Sequence, residues 1–484
     1  MAPSTATTMA AATAGDGEVD GSNAPAPHVM FIPSAGMGHL VPFFRFVSAL
    51  SSRGGVRCSV VTVLPTVSAA EADHFAGLFA AFPSVHRVDL NLLPFDASAF
   101  PGADPFLLRW EALRRSAHLL GQLVAGAAPR VSAVVTDVTL ASHVVPITKR
   151  LRVPCHVLFI SSAAMLSLLA YFPVHLDKNG KSGVGDVVDV PGVRAVPRPC
   201  LPQPLPDLDH LFTKQFVDNG RAIVNADGIL VNTFDALEPA ALAALRDGTV
   251  VPGFPPVYTI GLLKSVGSHS GGEKAAAAFA AWLGEQPARS VVYVAFGNRN
   301  AVSHAQLREI AAGLEASRCR FLWVLKTTVV DREDDAEVRD VLGDEFLERV
   351  AGRGMVTKGW VDQEAVLGHP AVGLFLSHSG WNSITEAAAC GVPLLAWPRG
   401  GDHRVNAMAL VSGGVGAWME HWSWDGEDRL VTRREIEEKV QEVMADATVR
   451  ASAARVCEEA AMAVAEGGTS ERSMQEFVSK LKAT

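Results

Sequence analysis

The chain has 484 residues, 49% of them hydrophobic and 19% charged, enough to bury large cores and to form two domains. Its 42 basic and 51 acidic side chains give a formal net charge of -9 without any basic run, which argues against nucleic acid or an anionic membrane surface as partner. The six cysteines, at 58, 155, 200, 319, 390 and 457, lack CxxC or zinc spacing, so they read as reduced apolar residues of a cytosolic protein, and metal binding has no support.

Residues 1–26 are mainly Ala, Thr, Gly, Ser and Pro, a composition expected to be disordered. No signal peptide is visible. The longest apolar run, Ala163 to Phe172, is too short to span a bilayer and is broken by Ser167 and Pro173, so a soluble, cytoplasmic chain without a membrane segment is expected.

From His28 the pattern is strand, turn, helix: His28 to Pro33, then Ser34 to Gly38, then His39 to Ser52 with Leu40, Phe43, Phe44, Val47 and Leu50 at helical spacing. This is a Rossmann-like opening, but Gly36-x-Gly38 followed by His39 is a weak dinucleotide fingerprint. Gly38 is expected to make the tight turn, and His39 then sits at a helix N-terminus by the carboxyl end of the first strand, where α/β folds keep their ligands. Further strands are expected at Ser59 to Leu64, Ala133 to Thr136, His156 to Ile160 and Gly228 to Asn232, with helices between them, which implies a parallel sheet. Pro-rich residues from Val190 to Pro206 read as a long loop.

Residues 27–262 are therefore assigned to a first α/β domain and 263–285, where Gly, Ser and Lys enrich, to a linker. A second domain, 286–465, restarts the pattern at Val291 to Gly297, with a helix capped at Ser303-x-x-Gln306 and a strand at Phe321 to Leu325. An acidic segment from Asp331 to Glu337 is a solvated insertion, Thr432-x-x-Glu435 caps a later helix, and helices at Ala453 to Glu466 and Ser470 to Lys482 end the chain.

Between these lies the block Trp360 to His403, with apolar segments at Met355 to Trp360, Val372 to Ser377 and Val392 to Trp397 in consecutive βαβ rhythm. After Leu376 comes Ser377-His378-Ser379-Gly380-Trp381-Asn382-Ser383, a turn opening a helix whose first amides would face an anion, with a diphosphate the obvious guest. Trp360 offers a flat face for a base, and Glu386 an acceptor for ribose hydroxyls. The ordered set resembles the plant secondary-product signature of the family-one UDP-sugar glycosyltransferases. That resemblance implies the GT-B fold, two Rossmann-like domains facing a cleft, with the UDP-sugar in the C-terminal half, the acceptor in the N-terminal half and residues 466–484 crossing back as a final helix. It implies uracil on Trp360, uridine and ribose on Gln363 and Glu386, phosphates on His378, Asn382 and Ser383 around Gly380, and Trp381, Asp402 and His403 facing the sugar. No cofactor or metal is implied beyond the UDP-sugar co-substrate, and a monomer is expected.

A transfer of this kind needs a base, and His39 is the best placed of the 15 histidines. The resemblance supplies an orienting carboxylate after a middle strand, here Asp137. The segment after it, Val138 to Ser142, has no carboxylate, and the Thr136-Asp137-Val138 pattern resembles the grass 2-hydroxyflavanone C-glycosyltransferases, as do Pro94 to Ser98, Phe100 to Pro105, Arg114 to Ala117, His210 to Thr213, Gln215 to Val217 and Asn219 to Arg221. This implies an inverting C-glycosyltransferase acting on flavonoid acceptors, with Phe95, Phe106 and Phe172 as acceptor contacts. A flavonoid O-glycosyltransferase and a UDP-sugar-binding protein without catalysis are the alternatives. Departures from the pattern are Ser379 for Cys, Asn298 where a phosphate-contacting Ser is common, Gly400 where an aromatic is frequent and His403 for the closing Gln. The last two leave the donor open between UDP-glucose and UDP-galactose or UDP-arabinose.

Overall fold

A computed structural model describes residues 26–100, 105–180, 183–264, 273–297, 302–327, 336–359, 361–423 and 429–482 of the protein. Its first sheet contains β1 (His28–Ile32), β2 (Arg57–Leu64), β3 (His86–Asn91), β4 (Ala133–Asp137), β5 (Cys155–Phe159), β8 (Gly228–Val231) and β9 (Val257–Thr259), in the spatial order β3-β2-β1-β4-β5-β8-β9. A short antiparallel ladder joins β6 (Val187–Val188) to β7 (Val196–Pro197) at the start of the Pro-rich loop. The second sheet contains β10 (Val291–Ala295), β11 (Arg320–Val324), β12 (Gly354–Thr357), β13 (Val372–Ser377), β14 (Leu394–Ala396) and β15 (Gly416–Trp418), in the order β12-β11-β10-β13-β14-β15. Every pairing within these two sheets is parallel. This is an α/β architecture of two Rossmann-like domains, as the resemblance implies.

The central strands β1, β4, β5, β8 and β10 are buried throughout, because helices cover both faces of a parallel sheet. Strand β3, His-Arg-Val-Asp-Leu-Asn, lies at an edge with one wholly buried residue, and β9 and β15 have three residues each. None of these carries the apolar run that marks a central strand, so the sequence pattern does not announce them. The Ala-rich stretch inside the expected linker forms the helix Glu273–Gly284, which buries Phe279 and Leu283. The helix Thr469–Lys482 lies against the first sheet: Phe477 meets His156, Phe46 and Tyr258 at ring-centroid distances of 5.0, 5.8 and 6.2 Å. Arg53 of the first helix pairs with Glu471 of that last helix.

Both expected capping boxes begin with a side-chain cap. Thr432 and Glu435 complete theirs, whereas Gln306 turns away from Ser303 and exchanges two hydrogen bonds with the Val431 backbone, at 2.8 and 2.9 Å. Among the described residues no helix is long and apolar enough to cross a membrane.

Candidate functional site

In each sheet the strand order reverses beside the first strand, at β1/β4 and at β10/β13, and the carboxyl ends of those strands open a crevice. The parallel register sets Ile32 of β1 beside Thr136 of β4, so whatever follows those residues leaves the sheet at the same edge. The turn after β1 is made by Gly36, with φ 101°, rather than by Gly38, which lies exposed inside the helix Met37–Arg53. Glu71 fixes this turn, since its buried carboxylate accepts the Gly36 and Val67 amide hydrogens at 2.6 and 3.1 Å.

His39, in the first turn of that helix, then meets Asp137: Nδ1 stands 2.9 Å from Oδ2, with the histidine side chain 15% exposed and the aspartate wholly buried. The other Asp137 oxygen accepts the Thr139 amide at 2.8 Å and its hydroxyl at 2.7 Å. Asn219 clamps the same segment, donating to the Thr139 carbonyl at 3.1 Å and accepting the Ser142 amide at 3.0 Å. The Trp110 ring packs edge-on against His39 with centroids 5.2 Å apart, and its indole N–H donates to the Ala35 carbonyl. An ionised carboxylate can only accept, so this geometry puts the histidine proton on Nδ1 and leaves Nε2 as the basic nitrogen.

Across the crevice, β13 ends at Ser377 and the helix Trp381–Cys390 begins after Gly380, with no side chain among the described residues capping its N-terminus. Its first amides therefore remain for an anion. Ser379 is held at φ 65°, and Ser379 Oγ and Asn382 Oδ1 are buried without a protein hydrogen-bond partner among the described residues. The His378 ring fills the space between two glycines: a Cβ at Gly297 or Gly380 would lie 2.8 or 2.7 Å from Nε2. Burial, with His403 and Arg399 nearby, holds His378 well below the ordinary histidine range, so the ring is neutral and offers one N–H. His403 packs edge-on against it at 4.8 Å, with Nε2 4.0 Å from Asp402 Oδ1.

Gln363 Nε2 donates to Glu386 Oε2 at 2.6 Å and lies 3.2 Å from Ser383 Oγ, so the expected uridine-side residues stand together. Burial pushes the Glu386 carboxyl up, while the Arg45 guanidinium and the Gln363 amide oppose that shift. Asp402 Oδ2 is engaged by Ser161 Oγ at 2.5 Å and by the Asn406 amide at 2.7 Å. Ser161 follows β5, so this contact joins the two halves.

Some expectations are corrected. Trp381 is 3% exposed and gives its indole N–H to the Asn232 carbonyl of the other half, so its ring is packed into the seam. Phe172 is 0% exposed and packs edge-on against Phe216, because the helix Leu211–Ile223 covers it; it offers no surface to an acceptor. Phe95 stacks on Phe100 beneath the Arg115 guanidinium, 5.0 Å from its ring centre. Asn298, Trp360 and the side chain of Phe106 lie outside the described residues. Arg45, Glu71, Trp110 and Ser161 have no sequence signal of their own, Asn219 stands only in a stretch noted for the family resemblance, and Thr139 stands two residues after an Asp, the spacing of an Asx turn. Among the described residues no group of three or more His, Cys, Asp or Glu is set to hold a metal ion.

A sequence model described as UDP-glucoronosyl and UDP-glucosyl transferase matches residues 216–457. UDP-glycosyltransferase CGT of Oryza sativa subsp. indica is 58% identical over 453 residues, 93% of this chain and 95% of that protein. UDP-glycosyltransferase 708A6 of Zea mays is 56% identical over 463 residues, 94% of this chain and 96% of that protein. The crystal structure of LpCGTa in complex with UDP superposes with a TM-score of 0.81 at 45% identity, covering 94% of this chain and 99% of that one. With an anion-ready helix end in one half, a buried His–Asp pair in the other and this extent of identity, the chain belongs to the UDP-glycosyltransferase family and is a glycosyltransferase enzyme that uses a UDP-sugar.

Proposed function

We propose that the protein is an inverting C-glycosyltransferase that moves a sugar from UDP to a ring carbon of a flavonoid acceptor of the phloroglucinol type, such as a 2-hydroxyflavanone. The single observation that supports this most is the 2.9 Å contact between His39 Nδ1 and Asp137 Oδ2, with no carboxylate in the segment Val138 to Ser142. His39 Nε2 takes a phenolic proton, and the electron pair moves into the ring so that the carbon between two oxygens becomes the nucleophile. That carbon forms a bond to the anomeric carbon as the bond to the diphosphate oxygen breaks with inversion. UDP leaves with the electron pair, its charge met by the amides and donors from His378 to Ser383, and the ring carbon then loses its proton to restore aromaticity. Asp137 steadies the imidazolium throughout.

In this reading the C-terminal half holds the nucleotide: Trp360 and Gln363 take the base, Glu386 the ribose, His378, Asn382, Ser383 and Asn298 the diphosphate, and Asp402 and His403 the sugar. The relatives named CGT and the UDP complex of LpCGTa support the donor assignment. The flavonoid acceptor and a cytoplasmic place in plant secondary metabolism rest on the sequence resemblance.

The test is incubation with UDP-glucose, UDP-galactose and UDP-arabinose in turn and a 2-hydroxyflavanone or phloretin-like acceptor, followed by acid hydrolysis of the product. A C-glycoside survives; complete cleavage would mean O-transfer, and no product would leave only binding.

A further inference from the structure

Arg45 lies on the same helix as His39, yet its guanidinium reaches the other half. Its side chain is 6% exposed, and Nη2 stands 2.5 Å from Glu386 Oε1 and 2.5 Å from Glu364 Oε1. Glu386 is itself only 10% exposed, and its second oxygen accepts the Gln363 amide. A carboxylate has about four lone-pair sites, so Glu386 can hold Arg45 and Gln363 and still accept from a pair of adjacent hydroxyls. To accept from both it must be ionised, which burial opposes and the guanidinium favours. A planar guanidinium can hold two carboxylates in one fixed arrangement, which a flexible ammonium cannot match.

We propose that Arg45 is a positioning residue for donor binding: from the half that carries His39, it fixes the Glu386 carboxylate in place for the 2′- and 3′-hydroxyls of the UDP ribose. The inference rests on the reading that Glu386 receives the ribose. It also ties the two halves together, because the helix whose first turn places the base carries, at Arg45, the group that orders the nucleotide site.

The test is calorimetric titration of the full chain with UDP and with 2′,3′-dideoxy-UDP, for the wild type, Glu386→Ala, Arg45→Met and Arg45→Lys. The wild type should favour UDP by about tenfold or more, as expected for lost hydrogen bonds in a buried site, and Glu386→Ala should abolish that ratio. Arg45→Met should weaken UDP about tenfold but dideoxy-UDP less than about threefold, with Arg45→Lys between it and the wild type. A ratio kept at the wild-type value in a folded Arg45→Met overturns the proposal, as does equal loss of both ligands, which would make Arg45 merely structural. If Arg45→Met does not fold, Arg45→Lys decides: a ratio reduced about threefold or more supports the proposal and an undiminished one overturns it. A wild type that does not distinguish the two ligands, or a Glu386→Ala that still does, removes the ribose reading itself and the proposal with it. That outcome is seen before any Arg45 variant is measured.

Discussion

At the scale of single residues, Asp137 is held by three donors from two residues, and two of those hydrogen bonds come from Thr139. Thr139→Val keeps the amide bond and removes the hydroxyl; loss of one hydrogen bond to a buried carboxylate, about 1–3 kcal/mol, should lower kcat/KM roughly tenfold or more while UDP affinity stays within about twofold. Steady-state kinetics beside UDP titration checks this, and equal losses in both would move Thr139 out of the base's surroundings. His403 makes a second residue-scale case, because it packs on the neutral His378 beside Asp402. His403→Gln should shift donor preference toward UDP-glucose, read by competition among UDP-glucose, UDP-galactose and UDP-arabinose. A wild type that already prefers glucose, with no shift in the variant, would exclude His403 as the selector.

At the scale of elements, the part proposed to hold the diphosphate is a helix N-terminus plus a histidine wedged between two glycine-bearing turns. Gly380→Ala would set a Cβ 2.7 Å from His378 Nε2, where no real contact lies, so the ring or the turn must move. UDP affinity is expected to fall about tenfold or more from the displaced donor, with the fold retained because the turn sits at the crevice mouth. Unchanged UDP binding would show that the His378 position is not critical. This element was legible in the sequence because its parts are contiguous: Ser377 to Glu386 carries the strand end, turn, helix start and carboxylate in ten consecutive positions. His39 was legible as a residue at the start of the helix after the first strand, whereas Asp137, the last residue of β4, was pointed to by the family resemblance. What was not legible depends on distance along the chain. Arg45 meets Glu386 across 341 positions, and Asn219 reaches Thr139 across 80, and no local pattern encodes either meeting. Edge strands β3, β9 and β15 were missed for a different reason: too little of each is buried, or too few residues form it, to leave a periodic trace. Phe172 was misassigned because an apolar helix position reads the same whether it lines a cleft or a core.

For the whole molecule, the two halves are joined by the last helix, by Arg45 and by the Ser161–Asp402 contact, so stability and function share parts. His156 lies under Phe477 of that helix, and burial lowers it to about 4 from 6.5. The sign follows from proton uptake: between those values the unfolded chain binds the proton and the folded chain does not, so this histidine favours folding above about pH 6.5 and loses that contribution as pH falls toward 4. The loss at pH 5 is about 2 kcal/mol, and His156→Phe should flatten the fall in melting temperature between pH 7 and 5; a parallel fall in both proteins would contradict it. The central claim, that a base in one half acts on a nucleotide-bound sugar in the other, is met most directly by the rate at which His39→Ala forms acid-stable glycoside at saturating UDP-glucose. That rate should drop below about 1% of wild type, as removal of a general base at the reacting proton requires, whereas retention of more than about a tenth would contradict the role of His39.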